Sequence, residues 1–426
     1  MKQLILFTIL ITNLAFAQNK SILISNATLH IGNDSLINNS LVGIHDGKIV
    51  LVADATTSKI DANAYELKID ASGKHIYPGF IAPNSTLGLV EIEAVRATLD
   101  FDEVGNILPN VRTLIAYNTD SKIIPTIRSN GILLAQITSR GGLVSGTSSI
   151  VMLDGWNWED AVFKADEGIH INWPRMITKK YDEETQLVST EKNKNYDKQT
   201  NDLIKLFTDA KAYAASKDNS EKNLRFEALG GLFDSTKTLF IHSNTVKEIT
   251  ESVMAAKKAG ILKMVIVGGK DSWLITGFLK ENNIPVIVSR VHDLPDRLED
   301  DIDLPYKLPY LLQKAGILFC LNNEGDMEAM GTRNLPFMAG TAAAYGLTKE
   351  QALKSITFNT AKILGIDKST GSIEVGKDAT LFISSGDALD MKSSNVEHAF
   401  IKGKEIDLNN SQKQLYEKYK TKYELK

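Results

Sequence analysis

Only one cysteine, Cys320, occurs in 426 residues, so no disulfide can form within the chain. It reads instead as a small apolar residue of a buried strand. Charge of one sign is missing too. Forty-eight Lys and Arg face 52 Asp and Glu, a net of -4, which leaves no basic footprint for nucleic acid. Histidine is scarce at seven residues, which matters for any metal chemistry. No internal repeat or low-complexity tract stands out. With 43% hydrophobic and 23% charged residues the composition is that of a globular protein, and the length suits one large domain plus a smaller one.

The first residues have an apolar run, "LILFTILITNLAF", too short for a comfortable membrane span. Lys2 precedes it, and Ala15-Phe16-Ala17 gives a small-x-small cleavage pattern before Gln18. Residues 1–17 are therefore expected to be a signal peptide, the product to be periplasmic or secreted, and no membrane span to remain after cleavage. Short alternating segments follow, among them "SILISNATLHIG" and "SLVGIHDGKIVLVAD", which predict antiparallel strands.

From about Tyr77 the rhythm changes. "TLFIHS" leads into "VKEITESVMAAKKAG", where Val246, Ile249, Val253 and Ala256 keep a helical stripe that Gly260 ends. "KMVIVGG", "IPVIVS" and "ILFCLNN" alternate with further helical pieces, the pattern of a parallel sheet covered by helices. Leu203, Leu206, Phe207, Ala210 and Tyr213 predict an inserted helix, about 183–222, over the rim of that sheet behind a solvated charged lead. "GSIEVGKDATLFISS" and "VEHAFIKGKEID" return to β character, and the tail predicts a helix with Tyr416, Tyr419 and Tyr423 on one side.

Three stretches in this order, "GKHIYPGFI", "ALKSITFNTAKILGI" and "GSIEVGKDATLFI", resemble the amidohydrolase superfamily, in particular its imidazolonepropionase-like branch. The resemblance implies an α/β fold: a TIM-like (β/α)8 barrel over 77–366, with a small composite β-sandwich from 18–76 and 367–408 and a tail helix over 409–426. It also implies a hydrolase acting on non-peptide C–N bonds, such as cyclic amides. One or two divalent metals at the barrel mouth would be held by a His-x-His pair on strand one, a Lys or Glu on strand four, a His each on strands five and six and an Asp on strand eight.

Position by position, this chain departs from that pattern. Asn84-Ser85-Thr86 stands at the His-x-His site, and Ala82 stands where an Asp commonly precedes it. Amide and hydroxyl oxygens are poor zinc ligands beside imidazole. His242 occupies the strand-five place, Gly268 and Gly269 the strand-six place, and Asn322 and Asn323 the strand-eight place, with Glu324 and Asp326 close behind as catalytic candidates. No strand-four ligand is identifiable; Glu227 has no motif behind it. The matched positions supply one metal ligand, His242, so at most one divalent metal (Zn or Mn) is expected. His292 after strand seven offers a rebuilt set with His242 and Glu324 or Asp326, against the plainer reading of a loop residue bridging local backbone.

The remaining candidates are weaker. Arg333 and Asn334 in "GTRNLPFMAG" suit a grip on a substrate carboxylate, and Asn84, Thr86 and His292 join them as substrate-binding candidates. His170 is expected on a loop beside Trp173, more often packed than lining a pocket. His30, His45 and His398 take surface or packing roles, and His75 the domain junction. Glu91, Glu93, Asp100, Asp102 and Glu103 form a solvated run, expected to be held by Arg96 and Arg112. "SRGGLVSGTSSIV" makes turns and no phosphate loop. Three functions fit: a C–N hydrolase with few or no metals, a non-catalytic relative that binds a small molecule or pairs with an intact amidohydrolase, and an extracytoplasmic small-ligand module. Self-association is also open.

Overall fold

The computed structural model describes residues 21–424 apart from 182–185, 187 and 217–220, so the expected signal peptide lies outside the described residues. Alternating apolar residues give the strands Ile22–His30, Leu36–His45, Lys48–Asp54, Leu67–Asp70 and His75–Pro78 before the barrel. Leu381–Ser384, Val396–Ile401 and Lys404–Glu405 come after it. All eight join in one hydrogen-bonded sheet. Its joint is His75–Pro78, parallel to the first strand and antiparallel to Leu381–Ser384, so the two chain ends share one sheet. Ile24, Leu29, Val42, Ile76, Leu381 and Phe400 fill its core.

A second eight-stranded sheet is the barrel wall: β1 (Phe80–Ser85), β2 (Ile132–Ile137), β3 (Val144–Met152), β4 (Val162–Asn172), β5 (Thr238–Ser243), β6 (Met264–Gly268), β7 (Val286–Val288) and β8 (Phe319–Leu321). The strands neighbour one another in chain order. β1 is parallel to β2, and β4 to β8 run parallel throughout. The exception is β3, which is antiparallel to β2 and β4. The link between β2 and β3 is a short turn, and a parallel crossover needs a dozen residues or more. Gly141 and Gly142 (φ 83° and 60°) make that turn, against the loop at Asp102 and Asn106 where a Cβ on either would collide. Among the described residues no ladder joins β8 to β1. Ile81 N donates to Ile356 O (2.9 Å) and Asn359 Nδ2 to Phe319 O (3.1 Å), so the helix Phe358–Leu364 and the residues before it bridge the seam.

The period of two along the strands sorts the core. Ile81, Leu134, Ile150, Phe240, Ile287 and Cys320 form one cluster, while their neighbours Phe80, Leu133, Val151, Leu239 and Phe319 pack with the surrounding helices. Burial raises the Cys320 thiol pKa and keeps it inert.

The segment after β4 corrects the expectation of a helix over the rim. Ile177–Tyr181 and Val188–Lys192 pair as an antiparallel hairpin where a solvated lead was expected. The helix itself, Tyr196–Ala215, lies between β4 and β5 and packs on the helix Val246–Ala259. Leu203, Leu206, Phe207 and Ala210 enter the main core, so this is a wall helix, while Tyr213 stays half-buried against Phe226. The tail helix Ser411–Lys422 buries no residue and leaves Tyr416, Tyr419 and Tyr423 exposed. No helix among the described residues is long and apolar enough to cross a membrane.

Candidate functional site at the barrel mouth

Two residues beyond the inward layer, on the same face and nearer the mouth, come Gln136, Ser148, His242 and Asn322. Apolar periodicity thus delivers a polar floor at the C-terminal ends of the parallel strands. Above it opens a cleft of ≈ 670 Å³, with Asn84, Thr86, Arg140, His242, Glu324 and Glu328 among its lining residues.

Asn84 sits at the end of β1 with φ 46°, a left-handed conformation that asparagine tolerates better than most residues. Its backbone N–H donates to Gln136 Oε1 (2.9 Å), and Gln136 Nε2 donates to Glu167 Oε1 (2.9 Å). Ser148 Oγ donates to the same carboxylate oxygen (2.6 Å). Glu167 is buried, its other oxygen has no partner, and desolvation raises its pKa against those two hydrogen bonds. A polar chain therefore runs from β4 through β2 to the turn of β1.

The β2–β3 hairpin puts Arg140 in the cleft. Its Nη2 donates to Asn84 O (2.9 Å) and to Glu328 Oε1, and its Nη1 donates to Thr138 Oγ1 and Ser139 O. Glu328 Oε1 also accepts from Thr86 N (2.9 Å). Burial raises the Glu328 pKa, and the adjacent guanidinium opposes that rise. Glu324 lies beyond, accepting from Ser289 Oγ (2.8 Å), Asn322 Nδ2 (3.3 Å) and, at the long limit, Asn84 Nδ2 (3.5 Å).

His170 corrects its expected place on a loop. It is in β4, buried, stacked on Phe240 (4.6 Å, 10°), with Nδ1 3.0 Å from His242 Nε2. One proton shared between those nitrogens makes the bond, and His170 Nε2 is left buried without a partner. Burial, with Arg140 adding its field, pushes His242 down to about 3. Burial, His242 and Arg140 push His170 well below the usual range, so both rings are neutral.

Several candidates fall elsewhere. His292 is exposed on the β7 loop, bonded through Nε2 to Thr341 Oγ1 (2.7 Å), and lines a separate cleft with Phe337. The rebuilt His242–His292–carboxylate set does not form. Among the described residues no three His, Cys, Asp or Glu side chains are grouped as a metal would need. Arg333 and Asn334 belong to a single helical turn whose Arg333 carbonyl takes Asn130 Nδ2 (3.0 Å), outside the cleft lining. Glu227 is on the short helix Leu224–Leu229, bonded to Tyr213. Asp326 lines the cleft, its carbonyl accepting from Arg290 Nη2 (2.8 Å). Arg112 does not hold the acidic run; it pairs with Asp166 (2.9 Å), while Glu93 accepts from Met327 N (2.9 Å).

Gly268 (φ 98°) closes the strand-six place, because a Cβ there would lie 2.5 Å from Asn244 Oδ1. Sequence reasoning missed Arg140, Glu328 and the partnership of His170 with His242. The short link between two apolar runs, "SRGG", held the one usable signal, since it is long enough only for a hairpin that must present its arginine at the mouth.

Residues 208–406 match the amidohydrolase family. An imidazolonepropionase from Shewanella frigidimarina (strain NCIMB 400) is 30% identical over 155 residues, 33% of this chain and 32% of that protein. The match thus spans about a third of that curated relative. An amidohydrolase from Thermotoga maritima MSB8 superimposes with a TM-score of 0.79 at 26% identity, covering 91% of this chain and 99% of that one. An adenosine deaminase from Xanthomonas campestris with bound Zn shares the fold alone, with a TM-score of 0.53 at 14% identity over 94% of this chain and 99% of that one. Over residues 208–406 the chain matches the amidohydrolase family, and over most of its length it shares the fold of the Thermotoga maritima amidohydrolase.

Proposed function

We propose that this amidohydrolase-family chain binds a small polar molecule bearing an amide or related C–N group, in a mouth that works without a two-metal centre. The observation that carries the reading is the Arg140–Glu328 pair at the end of β1. There the cleft offers a guanidinium, an amide and a hydroxyl, and its one imidazole, His242, bonds to the buried His170 behind it. Such a donor set does not fit two divalent ions, which call for several imidazoles and carboxylates free to converge. A cleft of ≈ 670 Å³ suits a small ligand. Its lining carries both carboxylates, among them Glu93, Asp293 and Glu324, and cations, among them Arg140, Arg175 and Arg290, which favours a ligand with both a donor and an acceptor end.

The test is a thermal-shift screen of N-acyl amino acids, cyclic imides and lactams, with and without chelator. Binders whose shift survives chelation support the reading; shifts that require added Zn or Mn oppose it.

A second reading, metal-free hydrolysis, is favoured by Glu324, a carboxylate oriented by Ser289 and Asn322 at the cleft wall. As a general base it would accept a proton from water. Chelator-resistant turnover should then fall about a hundredfold or more in Glu324→Gln; an unchanged rate would remove Glu324 from that role. Export, and pairing with a second copy or an intact relative, remain part of the proposal. Mature protein beginning at Gln18 on amino-terminal sequencing would support the first, and a start at Met1 would count against it.

A further inference from the structure

We propose that the guanidinium of Arg140 is the fixed cation of this mouth, standing between β1 and the β8 loop where a metal ion would otherwise bind. The inference rests on the reading of the mouth as lacking a two-metal centre. Arg140 bonds the backbone of Asn84, the first residue at the His-x-His site, and the carboxylate of Glu328 beyond β8. Glu328 in turn takes the N–H of Thr86, the third residue of that site. One positive charge therefore ties together the end of β1 and the segment beyond β8.

Its position is fixed. Arg140 N donates to Phe101 O (2.7 Å), and the two glycines after it leave no room for side chains against Asp102 and Asn106. A guanidinium stays protonated and cannot dissociate, so shape and charge persist at any metal concentration. Unlike a metal it has no open coordination position, so it makes no hydroxide from water. Arg140 is thus a positioning residue, and its charge disfavours a divalent ion at the end of β1, where it engages Glu328.

Metal uptake tests this directly. Wild type, N84H/T86H, N84H/T86H/R140Q and N84H/T86H/R140K are equilibrated with zinc, dialysed and analysed for bound metal. Histidine tolerates the left-handed φ at position 84 better than most residues, so the graft is sterically reasonable. The proposal expects wild type, N84H/T86H and the Lys triple variant each to hold under roughly a fifth of a zinc per chain, and the Gln triple variant about one. Equal uptake by N84H/T86H and the Gln variant overturns the assignment to Arg140 while leaving the proposed function standing. A folded Gln variant that takes no zinc also overturns it. One zinc per wild-type chain sinks the reading of the mouth itself. A second measurement covers a triple variant that does not fold: Arg140→Ala alone should melt several degrees lower, and millimolar methylguanidinium should restore most of the loss. No loss, or no restoration, overturns the proposal.

Discussion

At the scale of single residues, the mouth is a network built around one part-buried ion pair, Arg140 with Glu328. Glu328 is buried, and Arg140 is its only cationic partner among the described residues. Removing one member of such a pair leaves an uncompensated charge, which costs about 3–5 kcal/mol. Arg140→Met should therefore lower stability in urea by about 3 kcal/mol, and Arg140→Met/Glu328→Met by clearly less. Additive losses in the double variant would show that the two residues do not act as a pair. The histidines give a pH prediction. His242 has its pKa pushed down to about 3 by burial and by Arg140. In the unfolded chain it titrates near the ordinary value of about 6.5. Below that pH the unfolded state binds a proton that the native state refuses, so stability falls with pH, by up to about 1.4 kcal/mol per pH unit for one ring. The loss should run from about pH 6.5 down to about 3 and be shallower in His242→Gln. Parallel stability–pH curves for the two proteins would contradict that burial.

At the scale of elements, the strands and wall helices were legible because period two and period 3.6 are properties of the sequence itself. β5 to β8 and the capped helix Val246–Ala259 fall where the apolar runs place them. The reversed β3 was not legible, because its run reads alike in either direction and only the length of the preceding turn decides. The pairing of Ile177–Tyr181 with Val188–Lys192 was missed because both strands are mostly polar and show no apolar alternation. Of the mouth, Asn84, Thr86, His242 and Glu324 were singled out through the family resemblance, and all four line the cleft. The places of Glu328, His170 and Arg140 were not legible, since their partners lie far off in sequence. Gly268 ends β6 for a steric reason. A Cβ would meet Asn244 Oδ1, and its φ of 98° strains any side chain. Gly268→Ala should cost more than about 1 kcal/mol in chemical denaturation. Asn244→Ala should recover part of that loss but not the φ penalty. A neutral Gly268→Ala would mean that the strand end is looser than described.

At the scale of the whole molecule, two cores meet at a junction built of histidines. His30 Nδ1 lies 2.7 Å from Glu350 Oε1 on a barrel helix, and its Nε2 lies 3.0 Å from His75 Nδ1. The His30 ring stacks on Tyr77 at 4.3 Å. The end sheet and the barrel are thus tied by a short polar bridge set on aromatic packing, which predicts cooperative unfolding. Glu350→Ala should lower the melting temperature by a few degrees and broaden the transition toward two steps. An unchanged single transition would show the junction to be held by apolar packing alone. What sets this molecule apart is its mouth, where the barrel keeps its shape while an arginine stands at the end of β1. Elemental analysis of the wild-type chain, purified without chelator, tests this most directly. We expect well under one zinc or manganese per chain, unchanged in His242→Ala; one or more tightly held divalent ions per chain, lost in that variant, would contradict a mouth organised by arginine.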